Sequence, residues 1–414
     1  MKLSDWLAFI ERQHPKTIAL GLERVSLVYA RLGIEPPCPV ITVGGTNGKG
    51  STCALLEAML RAGGYRTGLY TSPHLVAYNE RVRIGGVEAS DEVLCESFDA
   101  VEQARGETAL TYFEYGTLAA LWIFAREKVE AAVLEVGLGG RLDAVNVVDA
   151  DCAVLTSVGI DHVDYLGPDR ESIGREKAGI FRAGRPAVIA EPDPPQSVLA
   201  APGEKLLIGR DFGYVDQQSQ WSYWGPGGKR GGLAHPALRG AVQLRNASAA
   251  ICALDTLRER LPHAMQDIRR GLAEAELPAR FQVLPGRPQI ILDVAHNPQA
   301  ARVLADNLGA SGFAPETIAV CGMLRDKDVA GVLAELKPRI TRWHLASLTG
   351  PRAASAAQLK EQLGADADLF DSPALALEAA LGRATPDDKI VVFGSFLTVG
   401  EVMGWLKNNK TSKR

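Results

Sequence analysis

This sequence has no excess of charge of either sign: 45 basic against 49 acidic residues leave a net charge of −4. That balance offers no electrostatic footprint for nucleic acid, and no Lys/Arg stripe interleaved with aromatics is present. Paired cysteines are also missing. The six (Cys38, Cys53, Cys95, Cys152, Cys252 and Cys321) are scattered without a C-x-x-C spacing, mostly in apolar runs, the pattern of reduced core thiols rather than of a disulfide framework or zinc site. The chain lacks a long apolar run as well. Its opening, MKLSDWLAFIERQH, reads as an amphipathic helix interrupted by Asp5, Glu11 and Arg12, so neither a signal peptide nor a membrane span is expected there. Nucleic acid and membrane are therefore not expected partners, and a cytoplasmic location is.

What is present is an ordinary globular composition, 46% hydrophobic and 23% charged over 414 residues, too long for one core, so two domains are expected. The chain is organised around residues 39–52, PVITVGGTNGKGST: a β-branched run, a glycine-rich turn, then a lysine opening a helix. Glycines let backbone N–H groups converge on phosphate oxygens, the helix presents its positive dipole end, and Lys49 adds a mobile charge. The pattern departs from G-x-x-x-x-G-K-[ST], with Val43 where glycine belongs and Gly50 where a hydroxyl belongs, which predicts a tighter loop. A ligand-free turn would give no use to a lysine between two glycines.

Beyond that loop the apolar pattern alternates between strands and helices. A strand at 66–72 ends in Ser72, Pro73 and His74, where open α/β sheets place ligands; a plain strand stop accounts for them equally well. Two helices are expected within 90–128. The strand at 131–136 carries Glu135 near its carboxyl end, an acid costly to bury unless paired or bound to metal. The strand at 152–158 runs into Asp161, His162 and Asp164, which makes His162 a candidate metal ligand or proton carrier. Lys177 lies on an expected helix, where nothing local singles it out. Residues 192–240, rich in Pro, Gly, Gln and Trp, are expected to form a small antiparallel appendage. Residues 277–288 read as a linker. After them strands at 289–294, 317–322, 340–346 and 389–394 alternate with helices near 299–309, 328–337, 355–363 and 373–382, predicting a second parallel sheet. Its first strand ends in Asp293, His296, Asn297 and Pro298; a helix cap accounts for Asp293 or Asn297, and the remaining polar groups favour a site. The expected fold class is α/β: an N-terminal phosphate-loop ATPase domain with a mostly parallel sheet and a small antiparallel β appendage (1–284), and a C-terminal Rossmann-like α/β domain (285–414).

Assembled, the chain resembles the Mur ligase superfamily and, within it, the bacterial dihydrofolate synthase and folylpolyglutamate synthase group. The segments that carry the likeness are GTNGKGST (45–52), SPHL (72–75), YFEYGTLAALW (112–122), LEVGLGGRLDA (134–144), DHVDYLGPDRESIGREKAGIF (161–181), DVAHNP (293–298) and GSFLTV (394–399). The resemblance implies ATP-dependent amide formation: a pterin-borne carboxylate takes the γ-phosphoryl group of ATP, and the glutamate amine attacks the acyl phosphate. It implies phosphate contacts from Thr46, Asn47, Gly48, Lys49, Gly50 and Ser51. Ser72 and Glu135 are implied as ligands of one Mg²⁺ and His162 of a second, with Lys177 carbamylated to serve the metal site. Asn246 is implied at adenine, Arg280 and Asp293 at ATP, and His296 beside the reacting groups. Glutamate is implied near Asp293, His296 and Ser395, with hinge motion near 282–288 gating turnover. Thr17, Ile18 and Ala19, with Thr111, Phe113, Leu142, Asp143 and Ala144, resemble the dihydropteroate-binding region of bifunctional members. Leu397 departs from the histidine that relatives often carry there. The implied substrates are dihydropteroate, reduced folates and L-glutamate, and the implied state is a monomer. A monofunctional folylpolyglutamate synthase is the alternative. A cell-wall Mur ligase is a poorer match, because only about forty residues precede the phosphate loop.

Overall fold

The computed structural model describes residues 1–15, 18–35 and 38–411. The chain divides into two compact units. One comprises Met1–His74, Tyr78–Ala237 and Gln243–Glu276, the other Leu75–Ala77, Leu238–Val242 and Leu277–Arg414.

The first unit is built on eight strands: β1 (Val40–Gly44), β2 (Thr67–Tyr70), β3 (Val82–Ile84), β4 (Val87–Glu88), β5 (Ala131–Glu135), β6 (Cys152–Leu155), β7 (Pro186–Ile189) and β8 (Glu204–Leu207). Their order is β4-β3-β2-β5-β1-β6-β7-β8. From β2 to β8 every pairing is parallel, and β3 and β4 add an antiparallel edge. All five residues of β1 are buried, as the continuous apolar run of a strand covered on both faces requires. The helix Lys49–Ala62 leaves β1 and buries all residues from Gly50 to Leu60. Helices Asp91–Arg105 and Tyr112–Arg126 are each opened by a side-chain cap, from Ser90 and Thr111 respectively, which satisfies an otherwise orphaned first-turn amide.

The stretch 192–240 is more mixed than its composition predicts. A short helix (Gln196–Ala200) and β8 join the main unit, β8 pairing parallel with β7. Only β9 (Gly213–Asp216), β10 (Trp221–Gly225) and β11 (Gly228–Leu233) form the antiparallel sheet.

The second unit carries β12 (Gln282–Leu284), β13 (Gln289–Leu292), β14 (Thr317–Cys321), β15 (Arg342–Ala346), β16 (Asp368–Phe370) and β17 (Lys389–Phe393), in the order β12-β13-β17-β14-β15-β16. The parallel sheet expected there is present, but 277–288 is not simply a linker. β12 pairs antiparallel with β13, and the Pro285-Gly286-Arg287-Pro288 stretch is the turn between them. Proline and glycine punctuate turns and linkers alike, which is why composition alone misread it. Among the described residues no helix is long and apolar enough to cross a membrane.

Candidate active site

The turn after β1 is held from outside by the end of β6. The Thr46 amide donates to the Ser157 carbonyl (2.9 Å), and the Asn47 amide donates to Ser157 Oγ (2.9 Å). Thr156 Oγ1 lies 2.7 Å from the Asn47 carbonyl and 3.1 Å from that of Gly44. The Thr46 hydroxyl accepts from the Gly159 amide (2.9 Å) and sits 3.1 Å from its carbonyl. Gly45, at φ +147°, allows this approach: a Cβ there would stand 1.9 Å from Thr156 Oγ1. Gly48, at φ +88°, turns the chain into the helix and lies against Asn246, whose Oδ1 a Cβ would approach to 2.8 Å. Thr46 and Asn47 thus brace the loop. The amides of Lys49, Gly50 and Ser51 belong to the first helical turn, where no i−4 carbonyl exists for them. Lys49 Nζ donates to the Gly45 and Thr46 carbonyls (3.1 and 3.4 Å), so its ammonium lies across the cradle. Gln243 donates to Ser51 Oγ (3.4 Å) and accepts from Asn246 Nδ2 (2.9 Å), which brings the helix Val242–Thr256 to the loop.

Around this cradle stand the acids and the imidazole read from the sequence. Glu135, 4% exposed at the end of β5, accepts from the Ser72 amide (3.2 Å). β5 and β1 are parallel neighbours, with Glu135 opposite Val43. His162 adopts a left-handed backbone (φ 53°), a region that histidine enters more readily than most side chains, and its amide donates to Asp161 Oδ1 (2.8 Å). Lys177 is 4% exposed in the helix Arg170–Ala178. Burial pushes its ammonium down to about 7, with Lys49 pushing the same way and Asp161 and Asp143 opposing. No three His, Cys, Asp or Glu side chains converge as a ready-made metal cluster among the described residues. A buried carboxylate beside a serine nevertheless fits Mg²⁺, which keeps several waters and takes much of its coordination from phosphates.

The residues expected at the pterin gather at the start of helix Tyr112–Arg126. Thr111 caps it, Glu114 reaches back to the Thr111 amide (2.7 Å), and Arg24 pairs with Glu114 while donating to the Ala19 carbonyl (both 2.8 Å). Phe113 lies over Gly137 and 5.8 Å from the Tyr70 ring. The Gly21 amide donates to the Leu142 carbonyl (3.3 Å). Asp143 accepts from the Leu138 and Val145 amides (2.8 and 3.1 Å), and burial raises its carboxyl to about 7 against those bonds and Lys49. Ala144 is buried in the turn Ala144–Val147. Ile18 flanks Ala19 on the chain, and Thr17 lies outside the described residues.

In the second unit Asp293 follows β13 and accepts from the Phe281 and Ala295 amides (2.8 Å each). Burial pushes its carboxyl up, Arg280 pulling it back. The Arg280 guanidinium sits 5.5 Å over the Phe396 ring, and His296 lies 6.2 Å from the same ring. His296 Nδ1 is 2.8 Å from the Val294 carbonyl. A carbonyl only accepts, so Nδ1 is the donor in this bond. Asn297 caps the helix Pro298–Ala310. Ser395 accepts from the Leu397 and Thr398 amides (2.9 and 3.3 Å), and Leu397 is half-exposed.

Thr156, Ser157 and Gln243 were not singled out from the sequence. The adjacent hydroxyls at the end of the β6 strand were a readable signal. Gln243 had none, because its partner Ser51 lies 192 residues away.

A phosphate-binding α/β unit followed by a second parallel α/β unit, each with polar groups at the carboxyl ends of its strands, defines a two-domain nucleotide-dependent enzyme. The Mur ligase middle domain matches residues 43–254 and the Mur ligase glutamate ligase domain residues 279–396, and the chain belongs to the Mur ligase family. Within it, the chain is 49% identical to the dihydrofolate synthase/folylpolyglutamate synthase of Escherichia coli, over 97% of this chain and 94% of that one. It is 42% identical to the protein of the same name from Haemophilus influenzae, over 96% of each. Among solved structures, E. coli FolC in complex with DHPP and ADP superposes with a TM-score of 0.95 at 47% identity, covering 99% of both chains. A bifunctional folylpolyglutamate synthase/dihydrofolate synthase with Mn, AMPPNP and L-glutamate bound gives a TM-score of 0.92 at 46% identity over 98% of both.

Proposed function

We propose that this chain is an ATP-dependent ligase that adds L-glutamate to dihydropteroate and to the γ-carboxylate of reduced folates, each time through an acyl phosphate. The observation that carries the reading is near-full-length identity to bifunctional relatives, together with the gathering of Ala19, Thr111, Phe113, Leu142 and Asp143 at one place in the unit that holds the phosphate loop. A free carboxylate resists an amine; phosphorylation supplies the leaving group. Lys49 and the first-turn amides of its helix hold the triphosphate, and positioning and charge neutralisation supply most of the rate. Asn246 takes the adenine, and Arg280 and Asp293 contact ATP from the C-terminal part. A divalent metal, held by Ser72 and Glu135 with His162 at a second ion, would neutralise charge between ATP and the attacking carboxylate. His296 stands beside the reacting groups, with Ser395 nearby to hold the amino acid. The protein acts as a monomer, the unit that ends at Glu276 serving ATP and the pterin, and the unit that runs from Leu277 serving glutamate and, through Arg280 and Asp293, ATP.

ADP release measured with dihydropteroate, with tetrahydrofolate or with neither, glutamate present throughout, tests this. Release is expected with either pterin and not without one. Activity on tetrahydrofolate alone would make the enzyme monofunctional.

Carbamylation of Lys177 belongs to the same proposal. With its ammonium lowered to about 7, a neutral amine is available near pH 7 to attack CO₂, forming an N–C bond and releasing a proton, and loading rises with pH through that value. Lys177→Ala is expected to lower turnover roughly 10- to 100-fold, the cost of losing an outer-shell metal partner, with added short carboxylates restoring part of it. An alanine variant with full activity would refute the modification.

A further inference from the structure

Arg81 is a half-buried guanidinium without an acid. Its carbonyl accepts from the Thr71 amide (2.9 Å), which sets it across from the residue preceding Ser72. Its Nε donates to His74 Nδ1 (2.9 Å), and its guanidinium carbon lies 5.5 Å from the centroids of both the Tyr78 and Tyr112 rings. Four inward-reaching arginines elsewhere in this unit have a carboxylate: Arg24 has Glu114, Arg83 has Glu57, Arg105 has Glu102 and Arg230 has Asp255. Arg81 forms no such pair among the described residues. The tyrosine faces compensate part of the lost hydration of its charge but accept none of its N–H donors in plane. With Nε committed to His74, the terminal nitrogens keep the planar fork that matches a carboxylate.

Its neighbourhood fits a substrate carboxylate. Tyr112 stands between Thr111 and Phe113 in the chain, and the charges of Arg81 and Asp143 both reach the buried Tyr70 hydroxyl, so Arg81 lies beside the pterin-side cluster. We propose that Arg81, oriented by His74 and packed against the Tyr78 and Tyr112 rings, receives the non-reacting α-carboxylate of a folate that already carries glutamate. This rests on the functional reading above. The reacting carboxylate is a poor candidate, because pairing with a guanidinium withdraws charge from the oxygen that must attack phosphorus. Dihydropteroate has no second carboxylate, so Arg81 separates the two acceptors that one site serves.

Steady-state kinetics of Arg81→Gln and Arg81→Lys with each acceptor test the assignment. In Arg81→Gln the KM for tetrahydrofolate is expected to rise roughly 10- to 100-fold, the worth of a charge-assisted bidentate pair, while dihydropteroate parameters move within about twofold. Arg81→Lys, keeping charge without the fork, is expected to recover part of the loss. The dihydropteroate reaction of the same variant serves as the folding control. Equal losses on both acceptors, with a lower unfolding temperature, would make Arg81 a structural clamp and overturn the proposal, as would unchanged kinetics with both. A wild-type protein inactive on both acceptors overturns the functional reading itself, a result distinct from either.

Discussion

Lys49→Ala is expected to abolish practical turnover, lowering glutamate-dependent ADP release about 10³-fold or more, on the scale of removing a charge that acts in phosphoryl transfer. The reason is visible in how the side chain is placed. Its ammonium lies across the turn, donating to the Gly45 and Thr46 carbonyls at 3.1 and 3.4 Å, where an arriving phosphate would meet it. The backbone should survive the change. Alanine is the best helix former, position 49 opens a helix that buries its next eleven residues, and the Lys49 amide remains. The loop is braced independently by Thr156 and Ser157. The variant should therefore keep its unfolding temperature while losing both activities and most of its affinity for a non-hydrolysable ATP analogue. A Lys49→Ala protein within tenfold of wild-type turnover would dismiss the phosphate-loop account.

Asp255→Ala is expected to be the most damaging substitution for stability, at about 3–5 kcal/mol, the cost of leaving one partner of a buried ion pair behind. The Asp255 side chain is buried at the end of helix Val242–Thr256 and binds Arg230, itself 9% exposed. It also accepts from the Tyr223 hydroxyl (3.1 Å) and the Gly227 amide (3.2 Å), and lies 3.3 Å from His263 Nε2. One carboxylate thus ties β10, β11 and the turn between them to the helix. Its removal strands a guanidinium, a hydroxyl and an amide in a dry site, and each orphan adds its own desolvation cost. Burial raises the Asp255 carboxyl, but hydrogen bonds from His263 and Arg230 outweigh it and hold the group below the usual carboxylate range. The stability it contributes is therefore present above the ordinary Asp pKa of about 3.9 and lost as pH falls below that value. Denaturant unfolding of wild type and variant at neutral pH measures the difference; a loss under about 1 kcal/mol would contradict the network's importance. The same helix carries Gln243 and Asn246 to the phosphate loop, so the variant is also expected to bind nucleotide more weakly.

The phosphate loop was legible because its parts are contiguous: an apolar strand, four glycines within seven residues and a lysine have few other uses together. Glu135 was legible for a similar local reason, a lone acid in an apolar run. Lys177 was not. Its chemistry comes from burial, and a charged helix residue reads as solvated until the packing is known. The short strands β3, β4, β12 and β16 were missed because two or three residues carry no measurable period.

By itself the sequence determined that two α/β sheets form, where the phosphate loop sits and which family the chain joins, because periodicity and contiguous motifs are local properties of the chain. Only the tertiary structure decided that hydroxyls at 156 and 157 clamp a turn at 44–47, that Asp255 anchors a sheet some thirty residues upstream, and that Arg81 stands among tyrosines without an acid. Those facts depend on which distant side chains share a low-dielectric space, and distance along the chain does not encode that.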